Sequence, residues 1–328
     1  LWATFVLGVS AWYVLRGRHI ELARRSMVVA ASFGLASALS VVVLGDESGY
    51  LTTEHQKMKI AAMEAMWETE PAPASFNLIA IPNQKARDNS FSIEIPWLMG
   101  LIGTRSLTTE LPGIHELVQR AETRIRHGLV AYEALQKVRA DPTDGAARVQ
   151  FDESWQDLGY ALLLTRYVED ISQATDEDIN NAAWSSVPEV APIYWSFRVM
   201  VGLGFYFILF FAVAFFLAST DRISRSPRFL KVAVFTAPLP WIAIESGWFV
   251  AEFGRQPWII EGVLPTYYAA SGLSLTDLAI SLGIFISLYT ALAIVGAKVM
   301  LHAIRSGPEK DTPPAVPLTP DDELLGTH

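Results

Sequence analysis

Three stretches of this chain are long, apolar and free of charge: Met27–Leu44, Val199–Ala218 and Leu278–Ala297. About 20 apolar residues in a helix span the roughly 30 Å hydrocarbon core of a bilayer. In lipid the backbone must satisfy its own hydrogen bonds, which leaves helices and closed barrels. Runs of this length therefore predict an all-α membrane protein, a transmembrane helix bundle. A fourth run, Phe229–Ala251, contains Pro238 and Pro240, which predict a kink. A fifth, Leu1–Leu15, is short for a span. Composition agrees: 51% of residues are hydrophobic and 18% charged, against about 25% charged in soluble domains.

Charge fixes the expected topology. Arg16, Arg18, Arg24 and Arg25 form one basic segment, Arg222, Arg225, Arg228 and Lys231 a second, and 298–310 a third. The positive-inside rule puts all three on the cytoplasmic side. About five spans then begin outside and end inside, with 45–192 and 252–275 outside. The expected layout is two spans in 1–44 with the first truncated, a large external and partly helical loop over 45–192, three spans in 193–302, and a Pro-rich disordered tail over 303–328. The loop holds 23 acidic and 12 basic residues, a net of −11 within a chain total of −9. An acidic extramembrane block argues against a nucleic-acid partner. The chain opens at Leu1 inside an apolar run with no charged n-region, which predicts a fragment beginning part-way through a span rather than a signal peptide. Cysteine is absent, which excludes disulfides, iron–sulfur clusters and thiolate metal ligands here.

Within the loop, Val118, Ala121, Ile125, Leu129 and Tyr132 recur at helical spacing and predict an amphipathic helix over 115–138. Glu54–Glu70 also reads as helical. Gly45–Tyr50 reads as the end of the second span, and Pro71, Pro73, Pro82, Pro96 and Pro112 as breakers. Ser274, with Asp277 three residues on, predicts a cap for the last span.

The residues that invite chemistry are few. Glu245, Trp248, Glu252 and Arg255 follow spacings of three, four and three, which places them on one face of a helix. A carboxylate at the bilayer centre costs about 2.5–3.5 kcal/mol on insertion scales, so such groups face a protein interior or mark a working site. Glu252 has two readings: a ligand or proton relay, or an interfacial acid paired with Arg255. Met200, two residues after Arg198, is either packing or a thioether ligand. An Arg at that edge suits a haem propionate. None of the six histidines, His19, His55, His115, His127, His302 and His328, lies in a predicted span. Lys57, Lys59, Glu64 and Glu68 read as a solvated face or as a polar ligand site. Lys59 and Glu64 point about 140° apart on an ideal helix, so one ligand reaches both only if the helix bends.

Longer motifs carry a resemblance. Gly247–Trp258 (GWFVAEFGRQPW), Ala31–Tyr50 (ASFGLASALSVVVLGDESGY), Trp67–Leu78 (WETEPAPASFNL) and Phe197–Gly204 (FRVMVGLG) resemble subunit I of the cytochrome bd-type quinol oxidases over 1–305, with the family's N-terminal spans missing. The resemblance implies that Met200 is an axial ligand of a low-spin haem b, its His partner lying before Leu1, with Arg198 beside that haem. It implies Glu252 as a ligand of a high-spin haem b, Trp248 between the haems, and Arg255 in the same motif. It implies Lys59 and Glu64 in quinol oxidation, with Asp46 and Glu47 at the entrance of the quinol-binding loop. Haem d and its ligands would lie upstream. The family reduces O2 to water with electrons from quinol and releases protons outside. The implied setting is the bacterial inner membrane with 45–192 periplasmic, and the implied partners are subunit II, a small single-span subunit, membrane lipid, quinol and O2. The fragment alone is expected to be inactive. Two rivals remain from the residues themselves: a membrane cytochrome b electron carrier that shares Met200, and a cofactor-free proton-coupled transporter using Glu245 and Glu252.

Overall fold

A computed structural model describes residues 1–308, which are organised as two units. The first comprises 1–16 and 20–271, the second 17–19 and 272 onward. The first unit opens with α1 (Trp2–Leu15) and α2 (Ile20–His55), followed by α3 (Lys57–Glu64). A hairpin of β1 (Phe76–Asn83) and β2 (Asp88–Ile95) comes next, then α4 (Ile114–Ala140), α5 (Gly145–Ser154), α6 (Leu158–Ala161) and α7 (Asp176–Trp184). The chain returns through α8 (Val190–Ser219), α9 (Pro227–Thr236) and α10 (Leu239–Phe253), and a short hairpin of β3 (Trp258–Ile260) and β4 (Leu264–Pro265) closes the unit. The second unit is carried by α11 (Leu275–Ser306). Of the described residues, 71% are helical.

Among the described residues, four helical segments are long and apolar enough to cross a membrane: α2, α8, α9 with α10, and α11. At 14 residues α1 is shorter than a span. In the first unit α1 packs on α2 and α9, α2 on α8, and α8 on α10. Small residues let these helices approach closely. A Cβ added to Gly34 of α2 would stand 2.1 Å from the Phe211 ring of α8.

The segment 45–192 has its own core. α4 buries Val118, Ala121, Ile125, Ala131 and Ala134 on one stripe, as the 115–138 periodicity predicts. The expected cap of the last span is present: Asp277 N donates to Ser274 Oγ at 3.1 Å. The proline-rich break also forms, with α9 ending at Thr236 and α10 starting at Leu239, Pro240 in its first turn.

Five expectations are corrected. The helix that carries the second span does not stop at Gly45–Tyr50. α2 runs on to His55, because a Gly inside a helix costs only about 1 kcal/mol and the extra turns gain tertiary partners. The Glu54–Glu70 segment is not one helix: Gln56 breaks it at φ −132°, and Ala65, left-handed at φ 51°, ends α3. Glu68 is therefore off the helix and shares no helical face with Lys57 and Glu64. The stretch read only as proline-broken contains the β1–β2 hairpin, with Phe76 opposite Ile95, Ile79 opposite Ile93 and Ile81 opposite Phe91. Arg255 does not lie on the helical face of Glu252, since α10 ends at Phe253 with Gly254 as its cap. The predicted tail over 303–328 is helical to Ser306, and from residue 309 it lies outside the described residues.

Candidate functional site

The best-built polar site of the first unit lies where α3 meets the Val190 end of α8 and the Phe253 end of α10. On the α8 side, Arg198 Nη2 donates to Glu64 Oε2 at 2.7 Å, and Nη1 donates to Oε1 at 3.4 Å. Arg198 Nη2 also donates to Asn77 O of β1 at 2.5 Å. The guanidinium lies 4.4 Å from the Tyr194 ring centre and 4.6 Å from that of Phe76. Glu64 is 3% exposed. Burial pushes its carboxyl above the usual range, and the Arg198 charge opposes that shift. Asn77 Nδ2 donates to Glu64 O at 2.9 Å, which locks β1 to the end of α3. Two atoms of this cluster are buried without a partner, Arg198 Nε and Asn77 Oδ1.

On the α10 side, Lys59 Nζ donates to Ala251 O and to Gln56 Oε1, both at 3.0 Å. An ammonium at a helix C-terminus meets the exposed carbonyls and the negative end of the helix dipole. Burial, with Arg255 nearby, lowers the Lys59 pKa, while Glu252 and Glu261 act to raise it. Lys59 and Glu64 therefore do not converge on one point. The roughly 140° between them lets the short α3 reach two helices at once, Lys59 to α10 and Glu64 to α8.

Further into the same seam, Met200 of α8 faces Gly247 of α10. A Cβ on Gly247 would come 2.8 Å from Met200 Sδ. Met200 and Gly204 share a helix face, and a Cβ on Gly204 would meet nothing within 4 Å. A thioether beside open space, with the unpaired Nε of Arg198 two residues away, suits a flat macrocycle carrying carboxylates. A thioether is one of the donors that haem iron takes. The residues present thus fit a haem.

Glu252 pairs with Arg255, which folds back from beyond the helix end. Its neighbours on α10 are open: Trp248 is 63% exposed, and Glu245 is exposed as well. A row of two carboxylates and a Trp on the outside of a membrane helix is costly against lipid, so this face needs a polar cover. Asp46 and Glu47 sit on the extended end of α2, where Arg105 Nη2 donates to both, at 2.6 and 2.9 Å, and stacks 4.6 Å from the Tyr50 ring centre. Among the described residues, no group of three or more His, Asp or Glu could hold a metal ion.

Some members of this region had no sequence signal. Asn77, Arg105 and Tyr194 reach the site through packing between distant segments. A cavity of about 330 Å³ lies beside it, lined by Lys57, Arg120, Arg124, Tyr160, Trp258 and Glu261 among others. Glu261 did carry a faint signal, as an acid in an otherwise apolar connector.

The family model for cytochrome bd terminal oxidase subunit I matches residues 1–308. The chain belongs to that family. It is 40% identical over 306 residues to the cytochrome bd-II ubiquinol oxidase subunit 1 of Escherichia coli (strain K12), covering 93% of this chain and 60% of that protein. It is 24% identical over 320 residues to the cytochrome bd ubiquinol oxidase subunit 1 of Bacillus subtilis (strain 168), with 97% and 56% covered. A putative cytochrome bd menaquinol oxidase subunit I of the same organism is 24% identical over 316 residues, with 93% and 55% covered. This subunit I chain therefore spans 55–60% of the length of these relatives. The resemblance read from the Gly247–Trp258 and Phe197–Gly204 motifs is borne out at the level of family.

Proposed function

We propose that this chain forms the quinol-oxidising part of subunit I in a bd-type quinol:O2 oxidoreductase of the bacterial inner membrane. The observation that carries this reading is the Arg198–Glu64 pair. It joins an acid of the external loop to the turn of α8 that bears Met200, so the loop and the thioether are mechanically one site.

In this reading residues 1–44 and 193–302 are membrane-spanning and 45–192 is the periplasmic quinol loop, with α2 and α8 extending beyond the bilayer. Met200 holds the low-spin haem b, with Arg198 beside its carboxylates. Glu252 holds the high-spin haem b and Trp248 lies next to it, so the uncovered face of α10 is a cofactor face. Bound there, with haem d, these groups supply one-electron transfer and the reduction of O2. Subunit II, a small single-span subunit and membrane lipid complete the assembly.

The protein's own part is to bind quinol, orient it and move its protons outward. Lys59, held by Ala251 O and Gln56, presents N–H donors to a quinol oxygen. Glu64, on the α8 side, holds a buried carboxylate whose basicity is raised by burial and tempered by Arg198, and it receives the proton after it has left the quinol. Arg255 neutralises Glu252 until that carboxylate is engaged. Asp46 and Glu47, tied by Arg105, hold the loop's entrance. The transporter reading has no use for a thioether packed at Gly247.

The test is a reduced-minus-oxidised optical spectrum of the full-length oxidase, wild type against Met200→Leu. Selective loss of the low-spin b signal is the expected result. An unchanged spectrum would demote Met200 to packing and remove the basis for placing the low-spin haem at α8.

A further inference from the structure

The β1–β2 hairpin presents an apolar surface that the described residues leave open. β2 alternates strictly: Phe91, Ile93 and Ile95 fall on one face, Ser90, Ser92 and Glu94 on the other. In a half-buried strand the apolar side faces a core. Here the apolar side is open as well as the polar one. Ile79 and Ile81 of β1 pair directly with Ile93 and Phe91. Together with Ile95 they form a ladder whose members are 37–51% exposed. Trp97 and Leu101 follow in the chain, at 67% and 62% exposed. Scattered exposed apolar residues are ordinary, but a contiguous patch of this kind marks a contact surface.

The height of the hairpin identifies what it contacts. Tyr194 Oη accepts from Ala80 N at 2.7 Å and donates to Leu78 O at 3.2 Å, and Arg198 holds Asn77 O. β1 thus crosses α8 at residues 194–198, directly outside the uncharged run that begins at Val199. That level is the membrane–water boundary of α8. Trp195 and Val199, on the adjacent surface of α8, are also exposed, at 47% and 43%. Trp97 and Trp195 suit that level, because Trp is enriched where bilayer meets water. The strands carry no charge between Phe76 and Asn83 and only Asp88 and Glu94 in β2, within a loop whose net charge is −11. Glu94 lies on the opposite face and bonds Ser75 and Ser92.

We propose that the apolar face of the β1–β2 hairpin rests in the headgroup–acyl boundary of the outer leaflet and anchors the quinol loop to the lipid surface. The inference rests on the membrane placement of α8 and not on the quinol chemistry. Its depth is bounded physically. A two-stranded sheet has free edges whose N–H and C=O groups need water, so it cannot enter the hydrocarbon core. The face therefore lies about 5–10 Å into the boundary, as interfacial elements do. The polar turn Gln84–Arg87 and the Ser92–Glu94 face stay in water.

The experiment is spin labelling of the full-length oxidase complex in lipid nanodiscs, at Ile93→Cys and, on the opposite face, at Ser92→Cys. Power saturation compares collision with oxygen, which concentrates in lipid, and with a water-soluble nickel chelate. The expected ratio of oxygen to nickel accessibility is several-fold higher at position 93 than at position 92. Equal ratios at the two positions would overturn the proposal in favour of a water-exposed face. Protection of position 93 from both reagents would overturn it in favour of a protein partner. Ile81→Cys, across the ladder on β1, repeats the measurement should Ile93→Cys disturb the hairpin, and retained haem spectra report that the complex is intact.

Discussion

Glu64→Gln is the sharpest probe of the junction between the loop and the membrane helices. Removing one partner of a buried ion pair costs about 3–5 kcal/mol, because the other charge is left uncompensated. Two features lower that figure here. Arg198 keeps its bond to Asn77 O at 2.5 Å and its aromatic neighbours. Gln also retains a carbonyl acceptor for one guanidinium N–H. A hydrogen bond to a charged group is worth about 1.5–3 kcal/mol, so the expected loss is about 2–3 kcal/mol. At 1.4 kcal/mol per tenfold, this is a fall of about 30- to 150-fold in amide protection across α3 and β1. Hydrogen exchange by mass spectrometry on the full-length oxidase in nanodiscs, read on peptides covering 57–83, measures it. Arg198→Gln should cost a similar amount, and the double variant should cost less than the sum by about 2 kcal/mol. Protection within about threefold of wild type in both single variants would mean that the pair does not hold α3 to α8.

Two further outcomes follow from the same geometry. Tyr194→Phe leaves Ala80 N buried without an acceptor, at a cost of about 1–3 kcal/mol, so exchange should rise in β1 and not in α4; equal effects in both would refute a local role. Burial and Arg255 lower the Lys59 pKa, so between that value and the ordinary ~10.4 the folded chain binds fewer protons than the unfolded one. Stability contributed by Lys59 is then present above the window and lost as pH falls through the folded value. The wild-type unfolding midpoint should therefore gain on that of Lys59→Met as pH rises toward 10, and parallel pH profiles would count against a buried ammonium.

The sequence alone determined the features that depend on one segment and its solvent. Uncharged runs dictate spans because lipid leaves the backbone no other partner. The Val118–Ala121–Ile125 stripe dictates α4 because a helix buries one face. Pro238 and Pro240 dictate a break, and Ser274 dictates a cap. The long motifs around Trp248 and Met200 were sufficient to identify the family. Tertiary structure decided everything that joins distant segments. α2 passes Gly45 and Gly49, and Arg105, in another segment, engages its carboxylates. α3 ends where Ala65 turns left-handed, below the reach of periodicity. The hairpin was hidden because its apolar face looks outward and proline masked its alternation. Lys59 and Glu64, five apart, part company toward α10 and α8 because those two helices lie side by side beneath α3. Arg198 and Glu64 are 134 residues apart in the chain and 2.7 Å apart in space. A local pattern records which way a side chain points, and only packing decides what it meets.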